Sequence, residues 1–178
     1  MTQDAISNAI EHLKALVAFD TRNPPRDIGT DGIFAYCRKH LPQDFKVETI
    51  DLGEGCVYLH AVRGNPKLLI NVHLDTVPIA EGWDTDPHTL TLKDERAYGL
   101  GAADIKGAAA LLLQAVNETQ GDIGLSIPTT HMKDPNSGIF WQLNLYCCQT
   151  DLLEIGKTLI GAYRKTGIGD IGLSTNTR

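Results

Sequence analysis

The chain has 178 residues, 42% hydrophobic and 21% charged, with 16 Lys and Arg against 22 Asp and Glu and a formal net charge of −6. A chain of that length buries about 70% of its unfolded surface, enough for one core, and its composition is not that of a disordered protein. The acidic balance argues against a nucleic-acid groove, which needs a basic stripe, and apolar runs such as 68–70 and 108–113 fall far short of a membrane span.

Residues 1–10 lack the basic start and apolar stretch of a signal peptide, so a cytoplasmic location is expected. Cys37 and Cys56 are isolated and Cys147 and Cys148 adjacent, which leaves no C-x-x-C pair and predicts reduced structural thiols.

The first segment predicts an amphipathic helix with Ile6, Ile10, Leu13, Leu16 and Val17 on its inner face, ending before Asn23-Pro24-Pro25. A second helix is expected from about 31 to 40, with Ile33, Phe34 and Cys37 inward and Pro42 closing it. The period then changes to two. Residues 45–50 and 57–61 alternate on either side of Gly53-Glu54-Gly55, the pattern of a hairpin. Residues 67–72 form a nearly continuous apolar run, as for a strand covered on both faces. Residues 89–92 and 97–99 are expected to pair across Asp94-Glu95. From Ile105 to about Asn117 the pattern is helical and apolar nearly all round, and a further strand starts near Gly121-Asp122-Ile123. This mixture predicts an α/β fold, a three-layer sandwich with a mainly parallel sheet.

After Gly124 neither period is sustained, so the chain divides into 1–124 and a divergent tail, 125–178. The tail holds apolar patches at 139–146 and 152–155, and the hexapeptide Gly-Asp-Ile-Gly-Leu-Ser occurs at 121–126 and again at 169–174. Six residues do not establish a repeated domain.

Two motifs carry chemistry. His73-Leu74-Asp75 directly follows the apolar strand, and sites in parallel sheets are built at the carboxyl ends of strands. A histidine there can ligate a metal through one ring nitrogen while a carboxylate two residues on holds the other. The alternative is a histidine hydrogen-bonded at a strand end. The second motif is the stretch 99–107, Gly-Leu-Gly-Ala-Ala-Asp-Ile-Lys-Gly. As a dinucleotide fingerprint it puts Asp104 where the pyrophosphate should lie, so two anions compete for one helix end. Asp104 is then either a helix N-cap or a carboxylate facing a metal, with Gly101 and Gly107 permitting close backbone approach. Arg22 and Lys106 read as solvated loop cations and stay outside the site.

Together, Val72-His73-Leu74-Asp75-Thr76-Val77-Pro78, Gly82-Trp83, Asp86-Pro87 and the 99–107 motif resemble the M20 family of zinc-dependent amidohydrolases and peptidases. The likeness covers roughly residues 5–124 and is closest to the acetylornithine and acetylcitrulline deacetylases, whose flavour Phe19-Asp20-Thr21-Arg22-Asn23-Pro24-Pro25 shares. The resemblance implies His73 as a metal ligand, Asp104 as the carboxylate bridging two zinc ions (cobalt being a substitute), and Asp75 as the catalytic-site carboxylate behind His73. It implies a small N-acylated amino acid as substrate, in arginine biosynthesis, cleaved by metal-activated water while a glutamate takes the proton. No nucleic-acid or membrane partner is expected, and homodimers are expected only of full-length relatives, through a dimerisation domain absent here.

The chain departs from that pattern after residue 124. The resemblance implies an acidic pair there, supplying the base and a ligand, and further ligands later. Residues 126–131 read Ser-Ile-Pro-Thr-Thr-His instead, and no Glu-Glu or Asp-Glu follows Glu118. His131 and Asp134 read as surface-loop residues rather than substitute ligands. One nucleotide removed within 124–127 allows Ala-Phe-Leu-Phe, so a frameshifted or truncated catalytic domain without its lid is expected. The alternative to a hydrolase is then a catalytically inactive remnant or a binding fragment.

Overall fold

A computed structural model describes residues 3–129, together with the backbone of a short strand pair at 132–133 and 140–141. The tail patch at 152–155, that at 139–146 apart from the backbone of 140–141, the second hexapeptide, His131, Asp134, Cys147 and Cys148 lie outside the described residues. In chain order the elements are α1 (Gln3–Ala18), α2 (Ile33–His40), β1 (Lys46–Asp51), β2 (Val57–Arg63), β3 (Leu69–Asn71), β4 (Thr91–Lys93) and β5 (Arg96–Tyr98). A π-helical turn (Ala102–Lys106), α3 (Gly107–Glu118), β6 (Ile123–Pro128), β7 (Met132–Lys133) and β8 (Phe140–Trp141) follow. No helix among the described residues is long and apolar enough to cross a membrane.

The fold is mixed α/β. The main sheet has the order β1-β2-β6-β3, with β1–β2 and β2–β6 antiparallel and β3–β6 parallel. The expected mainly parallel sheet is thus a mixed one among the described residues. Gly53 and Gly55, both at positive φ, turn β1 straight back on β2, and a tight hairpin can only be antiparallel. The parallel pair, β3 with β6, is the one that leads into the site.

Both faces of β2 are buried along its whole length. Val57, Leu59 and Ala61 of β2, Leu125 and Ile127 of β6, and Val72 and Leu74 beyond β3 form one apolar cluster with residues of α1, α2 and α3. Since these strand positions alternate, all three helices lie over the same face. Phe34 and Cys37 enter that core as expected, and burial pushes the Cys37 thiol up to about 12. β6 runs to Pro128, so Leu125, Ser126 and Ile127 continue the sheet past the point where sequence periodicity fades.

The inner face of α1 is rotated from the expected one. Ile6 is 41% exposed, and the buried stripe is Ala5, Ala9, Leu13, Leu16 and Val17. α1 packs on α3, which also buries alanines, Ala109 and Ala110, and small residues let helix backbones come close.

Arg63 closes the far end of the layer. It is buried, donates to the carbonyls of Gly121 (2.9 Å) and Val116 (3.1 Å) near the end of α3, and sits 4.7 Å from the Phe45 ring centroid. A guanidinium there satisfies carbonyls that a helix end leaves orphaned.

Candidate functional site

The first half of the site is an extension of β3. Beyond Asn71 the chain stays extended because β6 continues to pair with it: Val72 N donates to Ser126 O at 3.1 Å, Leu74 N to Pro128 O at 3.0 Å and Asp75 N to Thr129 O at 2.7 Å. Thr129 is itself fixed, its hydroxyl accepting from Val57 N at 3.0 Å. On this rigid stem His73 and Asp75 share a side. His73 Nδ1 and Asp75 Oδ1 are 2.9 Å apart, with their side chains only 10% and 12% exposed. Burial pulls the His73 imidazole down, but the hydrogen bond and charge of Asp75, with the more distant Asp104, outweigh it and raise it above the ordinary histidine value.

The second half is the π-helical turn. Gly101 sits at φ +79°, and a Cβ there would come within 2.5 Å of Thr76 Cγ2 and 3.2 Å of Lys106 Cδ. A Cβ on Gly107 would run into the carbonyl oxygen of Ala102. Both glycines therefore allow the close backbone approach expected of them. Asp104 departs from helical geometry at φ −126°, ψ 91°, and its peptide bond to Ile105 is cis. Asp104 nevertheless lies too far from α3 to be its N-cap. Lys106 occupies that position for α3, which starts at Gly107 rather than at Ile105. The Asp104 carboxylate is 85% exposed and faces His73, with Nε2 to Oδ1 at 3.6 Å.

That spacing is informative. It exceeds a hydrogen bond, whereas two ligands each about 2.1 Å from one tetrahedral ion stand about 3.4 Å apart. With Nδ1 against Asp75, Nε2 is the nitrogen that faces Asp104. The donor set, one imidazole and one carboxylate, suits zinc or a similar divalent metal. Among the described residues there is no group of three or more His, Cys, Asp or Glu able to hold a metal. Asp104, His73 and Asp75 line a cleft of about 470 Å³ whose further walls include Trp83, Val77 and Asn23.

Two residues of this neighbourhood escaped the sequence reading. Lys106 is not solvated but fully buried, its Nζ donating to Phe19 O at 2.9 Å; the signal available was its place between Ile105 and Gly107 ahead of an apolar helix. Asn23 Nδ2 donates to Asp75 Oδ2 at 3.0 Å, which nothing local in the sequence announces. Arg22 stays outside the site, paired with Asp20 at 2.6 Å.

Residues 69–126 match the family model described as peptidase family M20/M25/M40. The chain is 55% identical over 120 residues to an N-acetyl-L-citrulline deacetylase of Xanthomonas campestris pv. campestris, covering 67% of this chain and 32% of that protein. It is 47% identical over 77 residues to an acetylornithine deacetylase of Vibrio campbellii, covering 42% of this chain and 20% of the relative. The chain therefore spans a third or less of the length of these curated relatives. Human carnosine dipeptidase 1 superposes with a TM-score of 0.59 at 22% identity, over 70% of this chain and 32% of that one, and so shares the fold. The matched strands, the His73–Asp75 stem and the Asp104 turn are one piece of sequence and structure, and with them the chain belongs to peptidase family M20/M25/M40.

Proposed function

We propose that the chain carries part of the site of a metal-dependent amidohydrolase that cleaves the amide bond of a small N-acetylated amino acid, acetylcitrulline or acetylornithine being the substrates its relatives' names suggest. The observation that supports it most is the 3.6 Å gap between His73 Nε2 and Asp104 Oδ1, with His73 Nδ1 tied to Asp75. His73 and Asp104 would hold the ion. Zinc is the metal proposed, two ions sharing Asp104, with cobalt able to substitute. When bound, the metal supplies Lewis acidity and an acidified water. Asp75 keeps the His73 proton on Nδ1 and raises the basicity of the ligating nitrogen. Trp83 and Val77, 38% and 69% exposed, give the cleft an apolar wall for the substrate.

Zinc titration by calorimetry, paired with deacetylation assays on acetylcitrulline and acetylornithine, tests this reading. Zinc binding that His73→Ala and Asp104→Asn each weaken supports the site, and turnover in the same sample supports the enzyme. Among the described residues the cleft holds no carboxylate besides Asp75 and Asp104. Binding without turnover would therefore assign this chain the inactive or binding role. No zinc binding by the folded chain refutes the metal site.

A further inference from the structure

The segment leaving α1 crosses behind the site and is fixed there by its backbone. Thr76 N donates to Thr21 O at 2.9 Å and Asn23 N to Thr76 O at 2.8 Å, while Lys106 Nζ holds Phe19 O at 2.9 Å. None of these bonds uses the side chain of Asn23. That side chain reaches the carboxylate that holds the histidine: Nδ2 lies 3.0 Å from Asp75 Oδ2, and Oδ1 of the same carboxylate lies 2.9 Å from His73 Nδ1. A carboxylate only accepts, so the group facing it must be the amide NH₂. The two oxygens of Asp75 are thus held from two different elements.

This matters because the last torsion of an aspartate is soft, with a broad and roughly two-fold profile. The His73 bond holds Oδ1, and the bond from the backbone-anchored amide holds Oδ2, so the pair of bonds restrains the plane of the carboxylate. At 12% exposure the Asp75 side chain has little access to water that could replace a lost donor. In a neutral imidazole the bond made by one nitrogen decides which nitrogen carries the proton.

We infer that Asn23 is a positioning residue: its amide orients Asp75 so that the His73 proton stays on Nδ1 and the Nε2 lone pair is presented to the cleft. Its consequence for metal binding rests on the reading given under the proposed function. Its consequence for the histidine does not.

The test separates the two. Asn23→Leu fills the same space without a donor, and Asn23→Ala serves where the added apolar bulk impairs folding. In metal-free protein under mildly alkaline conditions, the ring-nitrogen chemical shifts of His73 report the tautomer. The wild-type chain is expected to show the Nδ1–H form, and both variants a mixture. Zinc affinity by calorimetry should fall about 10-fold or more, the usual cost of removing an outer-shell partner. A space-filling role would leave the tautomer of the Leu variant unchanged. Retention of the Nδ1–H form in the variants overturns the inference, whatever happens to zinc. If the wild-type chain binds no zinc, the metal reading fails and the tautomer measurement alone decides the role of Asn23.

Discussion

Lys106 offers a quantitative test of how the site neighbourhood is built. The residue is 0% exposed and donates to Phe19 O. Burial pulls its ammonium down from the ordinary value of 10.5 to about 8, with the charge of Asp20 opposing only in part. At about 1.4 kcal/mol for each tenfold change in proton affinity, keeping this group charged at neutral pH costs the folded state about 3 kcal/mol. The unfolded chain, titrating near 10.5, binds more protons than the folded chain between about 8 and 10.5. Stability is therefore lowered below that window and recovers as pH rises through it. Lys106→Met keeps the aliphatic stem and removes the charge. It also leaves Phe19 O without this donor, an offset that does not vary with pH. Urea denaturation of both proteins across the alkaline range gives the difference in unfolding free energy, in which the other titrating groups cancel. That difference, wild type minus variant, should climb by about 3 kcal/mol, with a slope no steeper than about 1.4 kcal/mol per pH unit. A flat or falling difference would refute the claim that a buried ammonium is held against Phe19 O.

Gly101→Ala combines a left-handed backbone with a Cβ pressed against Thr76, and should destabilise by about 2–4 kcal/mol in chemical denaturation; a loss below about 0.5 kcal/mol would contradict the packing described. Arg63→Met leaves the Val116 and Gly121 carbonyls without their donor and should cost about 2–4 kcal/mol, read as a lower urea midpoint at unchanged slope. The imidazoles of His12, on α1, and His40, on α2, are both pulled down, first by burial and then by neighbouring positive charge. Below the ordinary histidine range the unfolded chain takes up protons that the folded chain resists. Stability should accordingly fall as pH drops from neutral through 6.5, and a double substitution, His12→Gln with His40→Gln, should flatten that limb.

The elements that local sequence specifies were legible. The hairpin around Gly53-Glu54-Gly55, the inward face of α2 and the β4–β5 turn at Asp94-Glu95 each follow from periodicity and turn chemistry within a few residues. The His73–Asp75 pair was legible for the same reason, because a two-residue spacing on extended chain fixes the side. What stayed hidden depends on distant partners. Asn23 and Asp75 are 52 positions apart, and Lys106 and Phe19 O are 87, so no window of sequence contains both members. The face of α1 was misread because an Ile6–Ile10 stripe and an Ala5–Ala9 stripe both satisfy a helical period. Tertiary packing on α3, not hydrophobicity, chose the smaller one.

The order β1-β2-β6-β3 has a kinetic consequence. β2 and β3 are consecutive in the chain yet never touch as strands, because β6, synthesised after α3, is inserted between them. Until residues 123–128 are available, β3 has no strand partner among the described residues, and the stem bearing His73 has no bonds from Ser126, Pro128 and Thr129 to keep it extended. Closing a loop of that length must precede any reward from the pairing, so the site assembles late and all at once rather than by growing from its own motif. A nascent chain that already contains both His73 and Asp104 is in this sense still without their geometry, and a ribosome-bound series of increasing length should acquire it only once β6 has emerged.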